Sequence, residues 1–138
     1  MKTWALLCTC VFVLGLAFAA KANDEGDAYD MMFMKPAIAA NMALQKDVMG
    51  GDMAATAKDA ADLQAAFAKV EGFWTKKGGA DDAVGFAKNI QKIAGDIKDA
   101  AGKGDKDAAT ADAKMIGGTC GMCHMAHRTR AGNGFDLH

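Results

Sequence analysis

Five consecutive residues near the C-terminus have the types and spacing for specific chemistry: Cys120-Gly121-Met122-Cys123-His124. Two thiols three positions apart, followed at once by an imidazole, form C-x-x-C-H, the attachment signature of c-type haem. The thiols can add across the two vinyl groups of one haem, and His124 then presents a ring nitrogen to the iron from the same side. On a helix, positions i, i+3 and i+4 lie on one face, so the three side chains can point together into a helical interior. Gly117, Gly118 and Gly121 would leave room for a flat macrocycle against the backbone.

Other uses of these residues fit less well. A redox dithiol of the thioredoxin kind needs a βαβ setting, which this sequence does not offer. A structural zinc site needs four ligands, and no second Cys pair accompanies the first in the mature chain. A copper-handling protein could use Met31, Met32, Met34 and Met42 as soft ligands, but would leave C-x-x-C-H unexplained. No acid/base constellation points to an enzyme.

The elements that must position this motif follow a leader. Residues 1–22 have the form of a secretory signal peptide, with Lys2 as a short basic region and an uncharged apolar run from Trp4 to Phe18. Ala20-Lys21-Ala22 before Asn23 matches the small-x-small cleavage pattern, and Ala17-Phe18-Ala19 is a second option. The expected mature chain, 23–138, is exported, periplasmic and free of membrane spans. Lys2 and Lys21 leave with the leader, so the 16 basic residues become 14 against 17 acidic ones. Cys8 and Cys10 leave too, so Cys120 and Cys123 are the only thiols in an oxidising compartment. This weakly acidic balance gives no basic face for nucleic acid.

The mature chain is poor in strand formers, with three Val (48, 70, 84) and one Tyr (29) against 25 Ala. Such a composition predicts an all-α domain. Glycine breaks at Gly50-Gly51, Gly78-Gly79 and Gly102-Lys103-Gly104 leave four helical segments. Asp52, Asp81 or Asp82, and Asp105 stand ready to cap the next helix after each break.

Leu63, Phe67, Val70 and Trp74 are spaced 4, 3, 4, as are Phe86, Ile90, Ile93 and Ile97, giving one apolar stripe per helix. Trp74 and Phe67 are expected to pack as core beside the haem. In the last segment Ala108, Ala111, Met115, Cys120 and Cys123 form a less regular inner face. In the first segment Ile38, Met42 and Met49 are expected inside. Because of Pro36, this helix starts near Lys35, or starts near 27–30 and bends. Short connections predict an up-down-up-down antiparallel four-helix bundle with haem in its core near the C-terminal helix. His127 is expected at the surface or the haem edge, and 129–138, ending in His138, as a loosely ordered tail.

An exported helical bundle with one C-x-x-C-H in its last helix resembles the class II c-type cytochromes, the family of cytochrome c′ and its methionine-ligated, low-spin relatives. The resemblance covers essentially the whole mature chain and is most specific over Cys120–Arg128. It implies one covalent haem c, with Cys120 and Cys123 as anchors and His124 as proximal ligand. It also implies that Arg128, four residues after the haem His, lies near a haem propionate, which its planar fork suits. His127 departs from the aromatic often found before that Arg.

The stretch Phe33-Met34-Lys35-Pro36-Ala37-Ile38-Ala39-Ala40-Asn41-Met42-Ala43-Leu44 resembles the first helix of the methionine-ligated branch. It places the distal ligand at Met34, with Met31 and Met32 as rivals nearby and Met42 packing against the haem. Pro36 is a departure. The implied function is electron transfer to and from redox partner proteins through transient contacts. The alternative in the same family is a five-coordinate cytochrome c′ that binds NO or CO. The family's common homodimer, through the first two helices, would be permitted by the Ala-rich surfaces.

Overall fold

A computed structural model of the chain describes residues 24–132 and 134–138. The expected signal peptide and its cleavage position lie outside the described residues. The protein is mostly helical, and four helices pack against one another. Residues 24–29 are helical and run into a π-turn, Asp30–Met34, which leads into α1, Lys35–Gly50. Then follow α2, Met53–Lys77, α3, Asp81–Gly102, and α4, Lys106–His127. Helices adjacent in sequence pack together, and α1 also touches α4. Among the described residues no helix is long and apolar enough to cross a membrane.

The glycine breaks end the helices as expected. Gly51, Gly78 and Gly104 have φ of 79°, 73° and 73°, a region in which a side chain would clash. Asp52 accepts a hydrogen bond from the Ala55 N–H at 3.0 Å, and Asp105 does the same for Ala108 at 3.0 Å. The third break differs: Ala80 is the capping residue, and Asp81 and Asp82 lie inside the first turn, where their charge faces the helix's positive end.

The chain before α1 starts early and passes Pro36 without a break. Pro36 has no N–H to donate, and the turn ahead of it is wound wider, with the Lys35 N–H bonded to the Asp30 carbonyl five residues back. A five-residue step in this turn keeps Tyr29, Met34 and Ala37 on one buried side. Beyond it Leu44 and Val48 continue the inner face. Met42 and Met49, expected inside, are exposed, and Ile38 is about half-exposed at the edge of that face. In α4 the inner row is Ala109, Ala113 and Ile116, while Ala111 and Met115 face outward. The α2 and α3 stripes are placed as expected: Leu63, Val70, Trp74, Ile90, Ile93 and Ile97 are buried, and Phe67 and Phe86 are half-buried.

The buried side chains form two clusters. One holds Leu44, Val48, Leu63, Ile90, Ile93, Ile97 and Ile116; the other holds Tyr29, Met34, Val70 and Trp74 with three Ala of the α2–α3 region. Phe67 packs against both, Cys120 against the first and Cys123 against the second. The motif therefore spans the seam between them.

The tail is ordered, contrary to expectation. Arg128–Ala131 (β1) and Gly134–Leu137 (β2) pair antiparallel, with Arg128 opposite Leu137 and Ala131 opposite Gly134. This hairpin rests on the helical residues before the π-turn. At Gly26 a Cβ would lie 1.7 Å from the Phe135 carbonyl oxygen, so the two backbones touch where only glycine fits. Gly26→Ala is expected to push the hairpin off and to cost about 1–3 kcal/mol. Thermal unfolding measures this, and an unchanged midpoint would contradict the docking.

One buried acid lies away from the motif. Asp59 on α2 is only 9% exposed, and its pKa is raised, first by burial and then by Asp47 of α1. Its folded-state pKa exceeds its unfolded one, so its contribution favours folding at acid pH. That contribution is lost as pH rises through and above the ordinary carboxylate range near 4. Asp59→Asn is expected to raise the unfolding midpoint at pH 7, to leave it nearly unchanged at about pH 3, and thus to flatten the pH–stability curve.

Candidate functional site

The site is built from both ends of the described chain. Near its C-terminal end, α4 carries Thr119, Cys120, Cys123 and His124 into one wall of a cavity of about 160 Å³. The π-turn and α1 supply Tyr29, Met34, Ala37, Ile38 and Asn41, and α2 and α3 supply apolar walls that include Phe67, Val70, Phe86 and Ile90. Met34 is 7% exposed, whereas its rivals Met31 and Met32 are 58% and 66% exposed and do not line the cavity. Nor does the exposed Met42. Gly117, Gly118 and Gly121 lie on the outer side of α4, where an added Cβ would meet nothing within 4 Å. None of the three lines the cavity.

Burial sets the protonation of the three motif residues. Both sulfurs are free thiols. Burial pushes the Cys123 thiol up to about 11, aided by Cys120, and raises that of Cys120. Thiols that serve in redox exchange are tuned the other way, toward the thiolate. His124 is held below its ordinary value, first by burial and then by the Arg128 charge, so its imidazole is neutral near pH 7 and has a lone pair to donate. Among the described residues no group of three or more His, Cys, Asp or Glu side chains is arranged to hold a bare metal ion.

Behind this wall lies an aromatic and polar layer. The Trp74 Nε1–H donates to the Tyr29 hydroxyl at 3.0 Å, and burial pushes the Tyr29 pKa up to about 12. Tyr29 thus stays a neutral phenol. His127 is buried, not at the surface, because its ring packs on Trp74 with centroids 5.2 Å apart. Its Nδ1–H donates to the main-chain oxygen of His138 at 2.6 Å, and the His138 N–H returns a bond to the His127 carbonyl at 3.3 Å. His138 is thereby part of the hairpin's attachment. His127 Nε2 lies 2.9 Å from Asp82 Oδ2, close but out of line for a hydrogen bond, and this contact holds the Asp82 carboxyl below its usual range.

Arg128 begins β1 just past the helix. Its Nη2–H donates to Asp30 Oδ2 at 2.6 Å, and its guanidinium carbon sits 3.5 Å from the centre of the Phe135 ring. Arg128 does not line the main cavity. It borders a smaller void with Tyr29, Trp74, Cys123 and His124, and its Nε–H is buried without a partner among the described residues.

Tyr29, Asn41, Asp30 and Thr119 are site residues that the motif reading did not single out. Thr119 is held by Asn89, whose Nδ2–H donates to its Oγ1 at 3.2 Å. Only the spacing of Thr119, one residue before Cys120, could have signalled it. Tyr29 stands five residues before Met34, outside the 3–4 spacing of an α-helix.

Comparison with known families, curated proteins and solved structures returns no match to this chain. The functional reading therefore rests on the motif and the cavity.

These residues fit a covalently bound haem by the chemistry of the donor set. Two protonated thiols and a neutral imidazole stand on one wall, a buried thioether is in the lining, and the rest of the surface is mostly apolar. The Arg128 Nε–H, without a partner among the described residues, is also a donor suited to a carboxylate, at a void it shares with His124.

Proposed function

We propose that this protein is an exported, monohaem c-type cytochrome that carries electrons. Cys120 and Cys123 would hold the haem through thioether bonds, His124 would be the proximal ligand and Met34 the distal one. The observation that carries this reading is that Met34, Cys120, Cys123 and His124, from segments about ninety residues apart in sequence, line a single cavity of mainly apolar character. The short connections between successive helices support the finer architecture, an up-down-up-down antiparallel bundle.

Bound haem supplies one-electron exchange between ferric and ferrous iron. The chain's own residues do the rest. The neutral His124 offers its nitrogen without first losing a proton. The Met34 thioether, a soft donor, would favour the reduced metal and raise the potential. Phe67, Val70, Phe86 and Ile90 give the site apolar walls, which would limit water around a bound group and so penalise extra charge there. No substrate is turned over. Partners are redox proteins of the periplasm, met transiently.

The test is the visible spectrum of the protein produced in a host that matures c-type haem, oxidised and reduced, with and without carbon monoxide. Haem that survives acid-acetone extraction, a sharp low-spin α band, a weak long-wavelength Met–Fe(III) band and indifference to carbon monoxide are expected. Loss of all haem on extraction would overturn the reading. A broad high-spin spectrum that shifts with carbon monoxide would replace it with the five-coordinate, gas-binding one.

A further inference from the structure

We propose that the Asp30–Arg128 ion pair is a clamp that holds Met34 in place relative to His124 and so decides whether the thioether closes the distal side of the cavity. This inference rests on the haem reading above. Asp30 opens the π-turn and Met34 closes it, four residues later. Arg128 follows α4, four residues after His124. One side-chain contact of 2.6 Å therefore joins the segment that carries one axial residue to the segment that carries the other.

The turn needs such a tie. An i→i+5 turn is a sparsely used conformation that persists where the surroundings impose it. Pro36 removes the N–H that would otherwise bond back into this turn. The Asp30 carbonyl accepts from Lys35, which defines the wide turn, while its carboxylate is fixed by Arg128. The pair is mostly shielded from water, with side-chain exposures of 25% for Asp30 and 18% for Arg128. Screening by water is weak there, and Phe135 covers one face of the guanidinium. The bond from Nη2 to Oδ2 is charge-assisted, and such bonds are short and stronger than neutral ones. The resemblance assigns Arg128 to a propionate. Here its Nη2 is engaged by Asp30, which makes it a positioning residue for Met34.

The test uses the full chain from a host that matures c-type haem, as wild type, Asp30→Asn and the charge-swapped Asp30→Arg/Arg128→Asp. Spectra are read together with hydrogen exchange of peptides covering 24–36 and, as control, α2 and α3. Asp30→Asn is expected to keep its covalent haem, to lose the Met–Fe(III) band and to bind carbon monoxide. Its 24–36 peptides should exchange about tenfold faster while the control peptides are unchanged. The charge-swapped variant should recover part of the band, which a merely structural loss would not. Should Asp30→Asn fail to fold, Arg128→Lys, which keeps the charge and loses the fork, carries the same two outcomes.

An unchanged band and continued indifference to carbon monoxide in Asp30→Asn would overturn the clamp. Haem without a Met band in the wild type would also overturn it, while leaving a c-type cytochrome. Wild type without covalent haem would sink the proposed function instead. The exchange of 24–36 then decides the clamp: faster exchange supports it and unchanged exchange overturns it.

Discussion

The double variant Cys120→Ser/Cys123→Ser, produced alongside wild type in a host that matures c-type haem, is expected to carry no haem after acid-acetone extraction, against one per chain for wild type. Serine keeps nearly the size of cysteine and can hydrogen-bond, but an alcohol does not form the thioether. The single variants should be less severe, because one thioether still tethers the group. Both sulfurs are free thiols, and burial raises their pKa values, which favours the protonated form. If extraction leaves haem on the double variant, attachment is not through these sulfurs. If wild type and double variant both lack haem, the haem reading itself falls. The fold should survive the change, since both positions are only half-buried and sit at the seam of two clusters that are complete without them. A fall in the unfolding midpoint of the double variant would then report the missing cofactor, because a ligand held only by the native state stabilises it.

Much of this architecture was legible because large apolar residues set a helix's phase. Leu63, Val70 and Trp74, and Ile90, Ile93 and Ile97, have polar neighbours that cannot be buried cheaply, so each helix has one solution. Where alanine dominates, the phase is ambiguous. In α4 both Ala108–Ala111 and Ala109–Ala113 could face inward, and the choice was settled by Ile116, one position away from the expected Met115. The motif itself was legible, because its chemistry depends on residue identity and local spacing, not on packing.

The first segment was misphased for a physical reason. Patterns at 3 and 4 presuppose an α-helix, and the five-residue step from Tyr29 to Met34 has no place in that scheme. The methionines then misled, because their apolar character argued for Met42 and Met49 inside, whereas Ala37, Leu44 and Val48 fill the available space. Met is tolerated on the outside because its unbranched, flexible thioether costs little when exposed. The hairpin had a signal too. Gly132-Asn133-Gly134 lies between short runs with β-branched, aromatic or aliphatic residues, and Asn-Gly is a strong turn dipeptide.

Met34→Ala is expected to change the protein's class of behaviour and leave its haem content unchanged. Met34 comes from the side of the cavity opposite in sequence to the motif, and its burial sets it apart from Met31 and Met32. Removing the thioether deletes a soft donor and leaves a methyl in a pocket walled by Tyr29, Ala37, Phe67 and Val70. None of these can take its place as a ligand, since the raised Tyr29 pKa keeps that hydroxyl a neutral phenol bonded to Trp74. The long-wavelength Met–Fe(III) band should therefore vanish, the spectrum become high-spin, and carbon monoxide bind where wild type ignores it. The reduction potential should fall, because the thioether favours the ferrous state. Stability should drop by about 2–3 kcal/mol from the lost burial of a Met side chain. The parallel variants Met31→Ala and Met32→Ala separate ligation from packing. Both residues are exposed, so each should leave spectrum, potential and unfolding midpoint as in wild type. A Met–Fe(III) band that survives in Met34→Ala and disappears in either of the others would move the distal ligand to that residue. The π-turn would then have to rotate by the two or three positions that separate that residue from Met34, and the clamp between Asp30 and Arg128 would have to act on a different face.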